Sequence, residues 1–155
     1  MKPNIIIFFV VSLIFLPGLV NAKFLQFDGS FAPSDRINKS NILVYSSKVV
    51  VNIKDFNSCS WSNIADTNSM LPFVDKGSSV VICDPRSVGI KEGDVISYNT
   101  TRLNGNVSRI MHRVIFAGKD QNGTYYKLKG DNLEGEDPWK VREYQVNGVV
   151  VMVIY

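Results

Sequence analysis

Two Asn-Gly pairs, Asn104-Gly105 and Asn122-Gly123, constrain the fold of this chain more than any other feature of its sequence. Asn and Gly readily adopt positive φ angles, so the pair favours the tight turns of β-hairpins. Each pair lies between short segments rich in valine, isoleucine and aromatic residues, which are typical of strands. After residue 25 no stretch has apolar residues at helical spacing. The sequence therefore predicts an all-β, mostly antiparallel domain.

The predicted strands are short and are separated by polar turns. They cover residues 42–53 (one strand or a bent pair), 80–83, 94–98, 107–116, 124–128 and 148–154. Residues 55–68 and 131–140 are polar, and we expect them to form loops.

The N-terminus carries a lysine and then an apolar run from Ile5 to Val20. This run is shorter than the roughly 20 residues of a spanning helix and slightly longer than a signal-peptide core of roughly 7–15 residues. Val20-Asn21-Ala22 would suit cleavage of a signal segment, whereas the apolar residues after Lys23 favour an anchor. Both interpretations predict that the remainder of the chain is exported. We divide it into a lead-in segment, residues 26–59, whose first part to residue 40 is polar, and a β domain, residues 60–155, which the family resemblance described below makes the catalytic domain.

Composition excludes several classes of partner. The formal net charge is +3, and the absence of a Lys/Arg run or a basic-aromatic stripe argues against nucleic acid. One histidine and no Cys-x-x-Cys pair make a zinc site improbable. The two cysteines, Cys59 and Cys83, are either one disulfide formed outside the cytoplasm or two buried thiols.

Serine, histidine and acid residues suggest nucleophilic catalysis. Ser69 lies in Asn68-Ser69-Met70-Leu71-Pro72, and His112 is the only histidine of the chain. Asp131 follows Gly130, and Asp137 precedes a proline that favours an extended backbone. A serine hydroxyl needs an adjacent base, and an imidazole can serve near neutral pH. Each residue also has a non-catalytic interpretation. Ser69 could be a loop serine before a proline turn, His112 a structural histidine, and the two aspartates part of a solvated acidic loop.

Four sequence blocks occur together in a recognisable order. They are Asn68-Ser69-Met70-Leu71-Pro72, Lys91-Glu92-Gly93-Asp94-Val95-Ile96, His112-Arg113-Val114 and Lys129-Gly130-Asp131-Asn132. Their order and spacing resemble the type I signal peptidase family over roughly residues 60–154. The histidine in the third block makes the chain similar to the endoplasmic-reticulum and archaeal branch of the family. Members of that branch use serine, histidine and aspartate for catalysis. Asn68 stands where glycine is common in the family.

The resemblance implies a role for each site residue. Ser69 would be the nucleophile, His112 its general base, and Asp137 the acid that orients His112. Asp131 would support the local loop. The oxyanion would be bound by the backbone N–H of Ser69 and the hydroxyl of Thr67.

The same resemblance implies contacts with substrate. We expect Met70, Leu71 and Pro72 to contact it, while Leu71, Phe73 and Val74 either line the groove or pack in the core. The substrate would bind in an extended form, with small residues at the first and third positions before the cut.

The resemblance implies a signal-peptidase-like β domain after an N-terminal membrane helix, residues 1–25. The function would be that of a single-pass membrane serine endopeptidase that removes signal peptides from preproteins outside the cytoplasm or in a lumen. Its partners would be these preproteins and membrane lipid. Whether accessory membrane subunits also bind is left open by the resemblance. No metal or cofactor is required. The alternatives are a peptidase dedicated to one class of surface protein and an exported, non-catalytic peptide-binding domain.

Overall fold

The computed structural model describes residues 35–101 and 105–155. This part of the chain contains nine strands: β1 (Ile42–Val44), β2 (Val49–Val51), β3 (Ser60–Asn63), β4 (Ser79–Cys83), β5 (Val95–Thr101), β6 (Val107–Asp120), β7 (Gly123–Lys129), β8 (Val141–Arg142) and β9 (Val146–Ile154). It also contains one short helix, α1 (Pro85–Val88), and 3₁₀ turns at Lys39–Asn41 and Glu143–Gln145. None of these helical segments is long and apolar enough to span a bilayer. The anchor or signal segment expected at residues 1–25 lies outside the described residues.

All strand pairs in the described residues are antiparallel, which confirms the predicted all-β fold. β1 and β2 form a separate two-stranded sheet, so the predicted strand at residues 42–53 is a pair of strands. The other seven strands form one sheet in the order β3-β4-β9-β5-β6-β7-β8. β3 and β8 are therefore its edges.

The Asn-Gly pairs at 104–105 and 122–123 mark the two hairpins that join β5, β6 and β7, whereas a third pair, Asn147-Gly148, lies within β9. Thr101 pairs with Val107 across the first hairpin, whose residues 102–104 lie outside the described part. Asp120 pairs with Gly123 across the second, where Gly123 has φ +96°. A positive φ at this position explains why glycine closes the turn.

The prediction of a loop over the whole of residues 55–68 is wrong, because β3 lies within it. Its sequence, Ser-Trp-Ser-Asn, has none of the β-branched residues that indicate strands. β3 instead forms by pairing with the apolar strand β4, with Trp61 opposite Val81. Cys59, just before β3, is disulfide-bonded to Cys83 at the end of β4, which selects one of the two interpretations of these cysteines.

Apolar side chains pack on both faces of the large sheet. One core cluster consists of Ile96, Tyr98, Val114, Tyr126, Leu128, Val141 and Val149. The other consists of Met70, Val74, Val80, Val95 and Val150. Since neighbouring residues of β5 point to opposite faces, Val95 and Ile96 belong to different clusters. His112 pairs with Ile96 and so shares the face of the first cluster, whereas Met111 packs against the second.

Candidate active site

Ser69 lies in the segment between β3 and β4, and the loop after β7 holds it there. The backbone N–H of Asn132 donates to the Ser69 carbonyl oxygen at 3.0 Å, and its side-chain amide donates to the Asn68 carbonyl oxygen at 3.0 Å. Asn68 has φ +57°, in the left-handed region that asparagine tolerates better than most residues. This backbone conformation also explains why glycine suits the position.

Gly130 sits against the same serine segment. A Cβ added to Gly130 would lie 2.6 Å from the Ser69 carbonyl oxygen and 2.9 Å from side-chain atoms of Leu133. Carbon atoms do not approach a backbone oxygen so closely, so the loop can lie this near to Ser69 only without a side chain at position 130.

Thr67 lies beside Ser69 as the sequence suggests. The two hydroxyl oxygens, Thr67 Oγ1 and Ser69 Oγ, are 3.3 Å apart, and either can donate. Ser69 is half-buried and Thr67 is exposed. The Thr67 hydroxyl is therefore close enough to Ser69 to contact an oxygen that develops charge there.

His112, on β6, contacts Asp137. The His112 Nδ1 lies 2.9 Å from each carboxylate oxygen of Asp137. Both side chains are buried, with 8% of each exposed. An ionised carboxylate can only accept, so Nδ1 carries a proton and, in the neutral ring, Nε2 is the acceptor. The Asp137 backbone N–H donates to the Leu128 carbonyl oxygen at 2.7 Å, which fixes the carboxylate relative to β7.

Tyr98, on β5, is a further contact of Asp137 that the sequence did not reveal. Its hydroxyl donates to Asp137 Oδ2 at 2.6 Å, which is the length of a charge-assisted bond. Burial, reinforced by the bond to Asp137, raises the pKa of Tyr98, so the phenol stays a donor. The one available signal was general: a buried tyrosine hydroxyl usually finds a partner.

Asp131 contacts Arg113 instead of His112. The Arg113 Nε donates to Asp131 Oδ1 at 2.7 Å, and a terminal guanidinium nitrogen donates to Oδ2 at 2.6 Å. The side chains are 5% and 6% exposed. The other terminal nitrogen of Arg113 donates to the Gly93 carbonyl oxygen at 2.7 Å, and the guanidinium carbon lies 4.7 Å from the centre of the Phe73 ring. Asp131 thus ties the loop after β7 to β6 and to the start of β5.

Ser69 and His112 both line a cleft of about 460 Å³. Residues 62–65, from β3 and its extension, line one wall, and residues 109–112 of β6 line another. Among the described residues no hydrogen bond joins Ser69 to His112. The histidine–aspartate contact is therefore made in this structure, while Ser69 and His112 share a cleft with no hydrogen bond between them.

The residues expected to contact substrate are placed differently from one another. Met70 lines the cleft but is only 4% exposed and packs into the second core cluster. Val74 likewise lines the cleft and is buried, whereas Leu71 and Pro72 do not line it. Phe73 packs against the second cluster. Core packing thus accounts for much of this apolar run.

Within residues 35–101 and 105–155 no group of three or more His, Cys, Asp or Glu side chains is arranged to hold a metal ion. Comparison of the chain with protein-family models, with curated proteins and with solved structures finds no match. An inference about function therefore depends on the residues of the cleft.

Proposed function

We propose that this chain is a serine endopeptidase of the signal peptidase I type that removes signal peptides from exported proteins. The observation that carries the proposal is the buried His112–Asp137 contact at a cleft that Ser69 also lines. A carboxylate, an imidazole and a serine with these relations are the parts of a nucleophilic acyl-transfer site.

In the proposed reaction His112 Nε2 takes the proton of Ser69, and Ser69 Oγ attacks the scissile carbonyl carbon. Asp137 holds the Nδ1 proton and stabilises the imidazolium that forms. The oxyanion accepts hydrogen bonds from the Ser69 backbone N–H and from the Thr67 hydroxyl. The imidazolium then protonates the leaving amine, which leaves an ester on Ser69. Water, deprotonated by His112, releases the acid product.

Proton transfer requires Ser69 Oγ and His112 Nε2 to come within hydrogen-bond reach, and the bound substrate would bring them there. Catalytic hydrogen bonds are often long in free enzymes and shorten in the substrate complex. Because Asp137 fixes the imidazole and Asn132 holds the Ser69 backbone, the adjustment falls on the Ser69 side chain.

The proposed substrate is an extended peptide. Among residues 35–101 and 105–155, β4 is the one strand that pairs with β3, so no strand of this part of the chain covers the outer edge of β3 beside the cleft. An extended segment can add to such an edge as a further strand. The preference for small residues at the first and third positions before the cut rests on the family resemblance.

The proposed location is the extracytoplasmic or lumenal side of a membrane. The Cys59–Cys83 disulfide supports it, because disulfides persist in oxidising compartments. The apolar run before residue 25 supports attachment to lipid, and the resemblance favours an uncleaved single-pass anchor. The reaction uses amino-acid side chains and water alone.

Cleavage of a preprotein by the full chain tests the proposal, with Ser69→Ala and Ser62→Ala as a matched pair. Both serines line the cleft, but only Ser69 is the proposed nucleophile. Ser69→Ala should lose cleavage by about 10⁶-fold, as serine nucleophile variants do. It should also lose the mass shift caused by a serine-directed acylating reagent, while Ser62→Ala keeps both.

A wild-type chain that binds signal peptides but neither cleaves them nor accepts the reagent would support the non-catalytic peptide-binding alternative. Cleavage that survives in Ser69→Ala would assign the nucleophile elsewhere. Cleavage of one class of surface-protein precursor alone would narrow the proposal to a dedicated processing peptidase.

A further inference from the structure

The hairpin of β1 and β2 exposes an unusual amount of apolar surface. Val44 is 75% exposed and Val49 is 60% exposed. Four more large apolar side chains of the hairpin are exposed: Ile42, Leu43, Tyr45 and Val50. Soluble monomers rarely leave apolar side chains exposed in one contiguous patch, and such patches mark contact surfaces.

The hairpin does not belong to the core of the large sheet. Within the part of the chain that the structure describes, β1 and β2 pair only with each other, and an isolated two-stranded hairpin is marginally stable in water. Its base is held by a hydrogen bond from the Asn52 N–H to the Asn41 carbonyl oxygen and by one from the Asn41 amide to Asp55. Exposure rises along β1 from 41% at Ile42 to 75% at Val44. Within the hairpin, the most exposed apolar residues of the two strands, Val44 and Val49, are therefore those next to the turn.

The chemistry of the tip matches the boundary between lipid and water. Tyr45 and Lys48 flank its turn, and the Lys48 ammonium lies 5.3 Å from the centre of the Tyr45 ring. Tyrosine prefers this boundary because its ring is apolar and its hydroxyl is polar. A lysine can bury its stem and extend its ammonium to phosphate groups. Between Lys39 and Lys54 the chain contains Lys48 and no acidic residue, so the whole hairpin is basic.

We propose that the tip of this hairpin inserts into the headgroup region of an anionic bilayer. The apolar side chains of Val44 and Val49 would reach the acyl boundary, and Lys48 would contact lipid phosphates. Insertion is shallow, about 5–10 Å, as for interfacial helices. The outer edges of a two-stranded sheet have unpaired N–H and C=O groups, which the hydrocarbon core excludes. This inference does not depend on the chemistry of Ser69.

The charge of the tip argues against a second copy of the chain as the partner of this surface. Two copies packed tip to tip would bring the two Lys48 side chains together, and like charges at a contact are unfavourable. An anionic lipid surface instead attracts each nearby lysine. The apolar run that ends at Val20 precedes the hairpin in the chain and, as an anchor, would hold it near the bilayer.

Depth-dependent quenching of tryptophan fluorescence tests the proposal on the full chain in vesicles of phosphatidylcholine and phosphatidylglycerol. The matched variants are Tyr45→Trp and Tyr144→Trp, because both tyrosines are exposed and Tyr144 lies outside the hairpin. The parent chain has Trp61 and Trp139, so the emission of the new tryptophan is obtained by difference. Lipids brominated near the start of the acyl chain serve as quenchers.

The added emission at position 45 should shift to shorter wavelength and lose most of its intensity to the brominated lipid, while emission at position 144 keeps its intensity. Val44→Asp with Val49→Asp in the Tyr45→Trp background should abolish the quenching. Val107→Asp, at a valine that is 67% exposed outside the hairpin, should preserve it. Neutral vesicles should give weaker quenching.

Equal quenching at positions 45 and 144 would overturn the proposal, as would quenching that survives both aspartates. A blue shift without quenching would show that protein covers the tip, either a second copy or the N-terminal segment.

Discussion

Replacing each of two aspartates by asparagine separates the proposed catalytic acid from the proposed structural one. Both variants keep the size of the side chain and remove its charge. Asp137 contacts His112 and Tyr98, whereas Asp131 contacts Arg113. Asp131→Asn should therefore lower mainly the stability of the fold, and Asp137→Asn should lower mainly the turnover of substrate.

Asp131→Asn should act on stability. It removes the negative charge that Asp131 places against the buried Arg113 guanidinium, which is 5% exposed. Breaking a buried ion pair in this way costs about 3–5 kcal/mol. A change of 1 kcal/mol moves the melting temperature by about 4–8 °C in small domains and by about 2–4 °C in larger ones. We expect a decrease of about 10–20 °C, with turnover near normal at temperatures where the variant stays folded.

Asp137→Asn should act on turnover. An amide can donate to His112 Nδ1, which places the ring proton on Nε2 and removes the base. The corresponding change in a serine protease lowers kcat by about 10⁴-fold. The stability cost should be smaller than for Asp131→Asn, because the neutral imidazole is not left as an unpaired buried charge.

The assay measures kcat/KM on a preprotein-derived peptide, and melting by circular dichroism, on the same preparations. Asp66→Asn is the control, because Asp66 forms an exposed ion pair with Lys76 at 3.0 Å. Such pairs contribute little, so neither measurement should change. A stable but inactive Asp131→Asn beside an active Asp137→Asn would refute the reasoning and move the acid role to Asp131.

Three further perturbations test the hydrogen bond to Asp137, one surface ion pair and the disulfide. Tyr98→Phe removes a bond to a charged group that is worth about 1.5–3 kcal/mol, so kcat/KM should fall about tenfold or more. The loss follows because Asp137 without this bond is held less firmly against His112; an unchanged kcat/KM would contradict a positioning role for Tyr98. The Arg142 guanidinium holds the pKa of Asp120 well below its usual range, so this carboxylate stabilises the fold above a pH of about 4 and less as the pH falls further. The decrease in melting temperature caused by Asp120→Asn should accordingly be largest near neutral pH and shrink in acid; a constant decrease would contradict this linkage. Reduction of the Cys59–Cys83 disulfide, which joins residues 24 apart in the sequence, should lower the free energy of unfolding by about 3–4 kcal/mol in denaturant titrations, and an unchanged midpoint would contradict the loop-entropy argument.

The strands of this fold were largely predictable because their signals are local. β4, β5, β6, β7 and β9 are runs of branched and aromatic residues bounded by turn residues, and two Asn-Gly pairs mark the hairpins that join β5, β6 and β7. β3 was missed because its polar sequence becomes a strand only by pairing with β4. The order of strands in the sheet depends on contacts between distant segments, which no local pattern encodes.

The contacts of the site were predictable only in part. The blocks around Ser69 and His112 are short and local, so the sequence alone could propose them as candidates. The bond from Tyr98 to Asp137 joins residues 39 apart in the sequence, and it depends on the register of β5 against β6. On the sequence alone Tyr98 is one apolar residue of a buried strand.

The close approach of Gly130 to Ser69 limits which sequences this site can accept. The obstacle at position 130 is the backbone oxygen of Ser69, so no change of a neighbouring side chain makes room for a methyl group. Gly135, in the same loop, has no atom within 4 Å of an added Cβ and is free to vary. Two glycines five positions apart thus differ in their freedom to mutate. A screen for lost activity would detect Gly130 as readily as a catalytic residue, although it contributes only the absence of a side chain.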